Sequence, residues 1–408
     1  MSAPASPRRD GDDRPALPFG PGARPAWVSV DLDALRHNVA LLRRVSAPAA
    51  LCAVVKADAY GHGAVPVARA ALAAGATWLA VATVEEGVEL RRGGIEAPVL
   101  ILAEPSPDAA PGVVEHGLTP AVYSVPFVRT LARASAAAGA VTDVHVKVDT
   151  GMHRVGAAED EVAAVVAAVA GEPALRFAAL WTHFPVADGI APGDRAFTDE
   201  QVRRLEAVRD RLVAAGYPPP MLHAANSAGA VAFPAARLDM VRFGIALYGV
   251  SPFPEVDEAV AEVLSRTGVG DLRPVLSWRA AVTHVRRLDA AARPSYGRLR
   301  SLAGPSTVAT VPLGYADGVP RRYFSAGGTV LVGGRARPLA GMVTMDQIVV
   351  DCGDEGVSVG DEVVLIGRQG TAQITAGDWA GVLGTIAHEV FCGIGRRVPR
   401  VVVDGEGS

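Results

Sequence analysis

The decapeptide Val54-Val55-Lys56-Ala57-Asp58-Ala59-Tyr60-Gly61-His62-Gly63 carries the strongest chemical signal in the chain. Lys56 follows directly on the apolar run 51–55, and removing an ammonium from water is expensive. Burial lowers an amine's pKa and frees its lone pair, which suits Schiff-base chemistry. A lysine snorkelling out at a strand end is the commoner arrangement. The residues after Lys56 favour the nucleophile: Gly61 and Gly63 permit a tight backbone, and Tyr60 offers a hydroxyl to a phosphate. Asn226-Ser227 precede a short apolar helical stretch, and Gly244-Ile245 follow an apolar run. Hydroxyls and free N–H groups at such places can cradle a phosphate, although taken singly they read as a capping serine and a turn glycine. Likewise His183 alone reads as a core histidine, and Arg242 alone as half of a surface ion pair.

These residues need elements that bring them together. Between Trp27 and Pro252, apolar runs at 51–55, 78–81, 99–102, 119–122, 144–148, 177–181, 221–225 and 240–241 alternate with segments of helical period, such as 65–74 and 198–216. Eight strand–helix units over that length predict an α/β fold, a closed (β/α)8 barrel of the TIM type, spanning 27–255. A doubly wound open sheet is the alternative on periodicity alone. Lys56, Glu104, Asp149, His183, Asn226-Ser227 and Arg242 each stand where an apolar run gives out, and the carboxyl ends of barrel strands form the active face. After Pro252 the runs become short, β-branched and divided by glycines, at 275–286, 307–312, 328–332, 348–352 and 362–366. That texture predicts a mostly antiparallel β domain over 270–404, with a helix near 375–383 and a last strand at 398–403.

Composition narrows the functions. The chain has 408 residues, half of them apolar, and a net charge of −4. Its arginine pairs (Arg43-Arg44, Arg203-Arg204, Arg321-Arg322) never extend into a run, so no nucleic-acid partner is expected. Cys52, Cys352 and Cys392 form no CxxC pair and the nine histidines no metal-binding spacing, so neither disulfides nor a metal is expected. No apolar stretch approaches the roughly 20 residues that cross a bilayer. Residues 1–26, rich in Pro, Gly, Arg and Asp, lack an apolar signal core and read as a disordered tail, which points to the cytoplasm.

The decapeptide resembles the pyridoxal-phosphate attachment segment of the alanine racemase family. The resemblance continues in order through Lys147-Val148-Asp149-Thr150-Gly151-Met152-His153-Arg154-Val155-Gly156, Thr182-His183-Phe184, Asn226-Ser227, Met240-Val241-Arg242-Phe243-Gly244-Ile245, Gly314-Tyr315-Ala316-Asp317-Gly318 and Met345-Asp346-Gln347. It implies an isomerase that interconverts L- and D-alanine by a two-base mechanism on a pyridoxal 5'-phosphate Schiff base, supplying D-alanine for peptidoglycan. By the same resemblance Lys56 holds the cofactor and serves one face of the substrate, and Tyr315 serves the other. Tyr60, Asn226, Ser227, Gly244 and Ile245 surround the phosphate. Arg242 faces the pyridine nitrogen with His183 linked to it, and Arg154 and Met345 meet the substrate carboxylate. Tyr315 and Met345 are expected in the site of a partner subunit, hence a homodimer with shared active sites. Many members carry a carbamate on the lysine matching Lys147, and the same is expected here, because two bare cations would repel.

Some positions depart from the family pattern. His388-Glu389 stands where Tyr-Glu is usual, so His388 is expected to replace a tyrosine at the phosphate. Val186 replaces a small polar residue, and Thr344 a cysteine. The alternatives are a broader-specificity racemase or a decarboxylase of the same architecture, and a barrel-only cofactor-homeostasis protein. Arg242 in place of a carboxylate disfavours the decarboxylase. Tyr315 and Met345, which lie in the β domain, disfavour the barrel-only protein.

Overall fold

The computed structural model describes residues 23–404, so most of the expected tail lies outside the described residues. Strand β1 (Ala26–Asp31) corrects the expected start of the barrel: it belongs to the β domain, where it pairs antiparallel with a strand some 250 residues later, Val28 opposite Trp278. The reason lies in its burial. All but the last of its residues are buried, so both faces are covered, and period and chain position give no hint of a distant partner.

The barrel is built from β2 (Ala50–Val54), β3 (Trp78–Val81), β4 (Val99–Ile101), β5 (Thr119–Val122), β6 (Thr142–Lys147), β7 (Leu175–Trp181), β8 (Leu222–His223) and β9 (Met240–Phe243). Each strand pairs in parallel with the next, and β9 closes on β2 with Arg242 opposite Cys52. All eight expected runs are strands of this closed barrel. The helices around them start where capping groups allow. Asp31 accepts from the N–H groups of Asp33 and Ala34 at the head of Leu32–Ser46, and Thr83 with Glu86 forms a full capping box on Val84–Arg92. Helix Pro192–Ala214 begins six residues earlier than expected, with proline at its first position, where the missing N–H does no harm.

The second unit consists of the segment through Val30 and residues Leu276–Val402. Its strands are β10 (Leu276–Ala281), β11 (His284–Leu288), β12 (Ser306–Val311), β13 (Thr329–Val332), β14 (Arg335–Pro338), β15 (Ile348–Asp351), β16 (Glu362–Gln369), β17 (Ala372–Ile374) and β18 (Arg400–Val403). One sheet runs β14-β13-β16-β10-β1-β18 with β17 on β16, and another runs β11-β12-β15. The expected single strand over 275–286 is therefore two, placed in different sheets. The short returns β14 and β17 follow Gly333-Gly334 and Gly370-Thr371 turns and carry too little apolar pattern to be read from sequence.

Trp379, on helix Ala376–Leu383, anchors this unit. Its ring stacks on Tyr323 with centroids 4.0 Å apart, lies 5.5 Å from Trp278, and its indole N–H donates to the Leu365 carbonyl at 2.9 Å. Trp379→Ala should therefore lower stability by about 3–5 kcal/mol, the usual range for emptying a buried aromatic site. Denaturant unfolding measures this, and a loss below about 1 kcal/mol would show that the stack is not what holds the unit.

Candidate active site

Lys56 follows directly on β2, and the chain then does something rare. Ala57, Asp58, Ala59 and Tyr60 all lie in the left-handed helical region, with φ between 51 and 53°. Each L-residue there is disfavoured by roughly 1–2 kcal/mol, so the turn needs outside support. Glu86 supplies some: one carboxylate oxygen accepts the Ala57 N–H at 2.7 Å and the other the Ala82 N–H at 2.7 Å. Asp58 accepts from the Ala64 N–H at 2.7 Å, and His62 Nδ1 lies 3.0 Å from the Tyr60 carbonyl. Tyr60 is buried edge-on against Tyr248, whose hydroxyl donates to the Val54 carbonyl. Nothing in the sequence Ala-Asp-Ala-Tyr announces this hand; only the flanking Gly61 and Gly63 hint at a tight backbone.

The turn aims Tyr60 at the end of β9. The Gly244 N–H donates to Ser227 Oγ at 3.0 Å, and a Cβ at Gly244 would lie 2.6 Å from the Tyr60 hydroxyl. Two hydroxyls and a bare backbone thus converge at a spot only glycine leaves open, which fits a phosphate. Ile245 opens the 3-10 turn Ile245–Tyr248 that follows. Asn226 has a structural use in this arrangement: its carbonyl accepts the Gly229 N–H at 2.9 Å, and its amide donates to the Phe184 carbonyl.

Arg242 is buried, and both terminal nitrogens of its guanidinium bond within the barrel. It reaches His223 Nδ1 at 2.6 Å, the Thr182 and Ala224 carbonyls at 2.9 and 2.8 Å, and His183 Nδ1 at 3.2 Å. It also lies 4.6 Å from the centre of the Trp181 ring. Burial pulls its pKa down to about 10, so it stays cationic at neutral pH. A guanidinium only donates, which sets the tautomers behind it. His223 must accept at Nδ1 and carry its proton on Nε2, which faces His145 Nδ1 at 3.0 Å. His145 is then protonated on Nε2, an atom that finds no partner among the described residues. Burial first and the Arg242 charge second hold His223 and His183 well below the ordinary imidazole range. Burial takes His145 down to about 3. Sequence reading missed His223 and His145; the one trace they leave in the sequence is an imidazole inside each of two apolar barrel strands, which by itself reads as a core histidine.

Lys147, at the end of β6, is 4% exposed with its ammonium 4.4 Å from the Trp181 ring centre. Burial, then Arg242 and Arg154, bring its pKa down to about 7. Arg154 is exposed beyond it. Two other polar strand ends serve structure: Glu104 accepts from the N–H groups of Tyr123 and Ser124, and Asp149 from those of Gly151 and His153. Among the described residues no group of histidines, cysteines and carboxylates could hold a metal, and no helix is long and apolar enough to cross a membrane.

The β unit presents the remaining residues. The Tyr315 N–H donates to the Thr344 carbonyl at 2.9 Å and the Ala316 N–H to the Met345 carbonyl at 3.0 Å. A Cβ at Gly314 would come within 2.3 Å of both carbonyls, so glycine is what lets the two loops lock. Tyr315 is 44% exposed and Met345 52%. His388 is half-buried on helix Ala387–Gly393, which sequence reading did not expect. The predicted residues therefore fall into two sets: Lys56, Tyr60, Lys147, Arg154, His183, Asn226, Ser227, Arg242, Gly244 and Ile245 in the barrel unit, and Tyr315, Met345 and His388 in the other.

Comparison with known proteins agrees with this architecture. Residues 30–252 match the family described as alanine racemase, N-terminal domain, and residues 275–402 that described as alanine racemase, C-terminal domain. The chain is 47% identical to the alanine racemase of Symbiobacterium thermophilum, over 93% of this chain and 97% of that one. It is 40% identical to that of Frankia casuarinae, over 95% and 99%. The solved alanine racemase of Streptomyces coelicolor A3(2) superposes with a TM-score of 0.85 at 40% identity, covering 93% of this chain and 98% of that one. With both domains present in order and identity extending over nearly the whole length, the chain belongs to the alanine racemase family, whose cofactor is pyridoxal phosphate.

Proposed function

We infer that this chain interconverts L-alanine and D-alanine with pyridoxal phosphate attached through Lys56, and that it supplies D-alanine for peptidoglycan. The observation that carries the reading is the buried, donor-only Arg242, one strand over from Lys56 and beside the Tyr60–Ser227–Gly244 cradle. Tyr60, Ser227, the Gly244-Ile245 backbone, Asn226 and His388 would hold the phosphate, and Arg242 the ring nitrogen. When bound, the cofactor withdraws electrons from the amino acid and acidifies its Cα–H. Arg242, which can only donate, would leave the ring nitrogen unprotonated, so that return of the proton would be favoured over side reactions.

Racemisation then requires a proton to leave one face of Cα and return on the other. Lys56 Nζ handles the D-face and the Tyr315 oxygen the L-face. His183, accepting from Arg242 at Nδ1, carries its proton on Nε2 and would present that N–H to the Tyr315 oxygen. Arg154 and the Met345 backbone receive the substrate carboxylate. Tyr315 and Met345 would enter the barrel site of a partner subunit in a homodimer. Their exposure, together with that of Tyr296, Leu299 and Ile386, gives the β unit uncovered apolar surface suited to such a contact. Lys147, with its amine near neutrality, suits carbamylation, which would turn a third cation into an anion beside Arg154.

Three experiments test these assignments. Borohydride treatment of the holoenzyme should fix pyridoxal phosphate on Lys56, and a label mapping to another lysine would remove the basis of the mechanism. For Lys147, the unfolded chain keeps the proton up to the ordinary value of 10.5, whereas the folded chain releases it near 7. Unfolding between those values takes up a proton, so stability should rise with pH across that window. Lys147→Met should flatten the rise; identical slopes in parent and variant would contradict the assignment.

Finally, Tyr315→Phe should abolish solvent exchange of the Cα hydrogen of L-alanine, leave that of D-alanine in place, and lower racemisation by at least about 100-fold. Mixing inactive Tyr315→Phe and Lys56→Ala subunits should restore activity, because each mixed dimer would hold one intact site. No recovery despite proven subunit exchange would place Tyr315 in its own chain's site.

A further inference from the structure

We propose that Asp317 is a positioning residue for Tyr315, clamped by Arg24 and Arg397; the proposal rests on the reading of Tyr315 as the L-face base. Tyr315 has to stand exposed to do its work, so packing cannot hold it in place. The turn beneath it has to be held by polar bonds instead. Asp317 is fully buried two residues on, with Arg24 Nη2 at 2.6 Å and Arg397 Nε at 3.4 Å, and its second oxygen accepts the Gly314 N–H at 2.9 Å. The Asp317 carbonyl accepts the Gly395 N–H at 2.9 Å, and a Cβ at Gly318 would come within 2.4 Å of the Gly393 carbonyl. Both sides of the turn are therefore held.

The two arginines come from opposite ends of the chain. Arg24 leads into β1 and Arg397 lies just before β18, and these strands are neighbours in the sheet. Arg397 also reaches Asp346 at 2.8 Å, next to Met345. One guanidinium therefore ties the Tyr315 loop to the Met345 loop, alongside the two backbone bonds already described. A carboxylate buried this completely is expensive unless paired, and removing one arginine leaves the other with part of the task. The consequence is positional: small shifts of a reacting group lose large factors in rate.

The test uses holoenzyme variants Arg397→Gln, Arg397→Lys and Arg24→Gln, both arginines being partly exposed. The readouts are deuterium uptake at Cα from each enantiomer and the melting temperature. Arg397→Gln should slow exchange from L-alanine about 10-fold while exchange from D-alanine stays within about 2-fold, with Arg24→Gln shifted in the same direction. Arg397→Lys should recover most of the loss, because an ammonium can still bridge the two carboxylates. Equal losses from both enantiomers would reduce the clamp to a structural brace and overturn the proposal, as would unchanged exchange in all three variants. Tyr315→Phe is measured in parallel. If it leaves L-alanine exchange intact, the assignment of Tyr315 itself has failed and the clamp proposal falls with it, whatever the arginine variants do.

Discussion

Inside the barrel, a row of buried imidazoles and carbonyls is arranged around a cation that can give hydrogen bonds and never receive one. Arg242 meets two carbonyls and two imidazole nitrogens, and each of these must accept. That single constraint propagates outward. It chooses the tautomer of His223, through His223 that of His145, and it helps keep three histidines and a lysine from charging. The cost is visible at the end of the line, where the His145 Nε2–H meets no acceptor among the described residues. A buried donor without a partner is destabilising by about 1–3 kcal/mol, and here it is the remainder left by satisfying a guanidinium from one side only.

The barrel was readable because its strands are local apolar runs and its polar residues stand where those runs end. Lys56, His183 and Arg242 could be picked out on that basis. The residues behind them could not. His223 and His145 lie within strands, and an imidazole there looks like any core histidine until a donor-only neighbour gives it a task. The β domain was readable in texture and much less so in topology. Strand β1 joins it from the other end of the chain, β10 and β11 part at a bend, and β14 and β17 exist only as returns of tight turns. Each of these depends on a partner distant in sequence, which periodicity does not encode.

Two kinds of rigidity serve the two sets of site residues. In the barrel, burial fixes the side chains and their charges follow from it. In the β unit, Tyr315 and Met345 are exposed, and what is fixed is the backbone under them: by Gly314 against two carbonyls, and by a carboxylate between two arginines. Exposed residues on a braced turn keep their reach without giving up their position.

The left-handed turn after Lys56 bears on how the protein comes to be made. Right-handed backbone is favoured locally, so Ala57 through Tyr60 have no intrinsic tendency to take up their native form on a nascent chain. Their supports arrive later: Glu86 belongs to a helix that follows the next strand, and Tyr248 comes almost two hundred residues on. Lys56 therefore acquires its surroundings only as the barrel closes, with β9 and the turn after it the last parts of the barrel to be synthesised. The strain of the turn thus ties the placement of Lys56 to the completion of the fold.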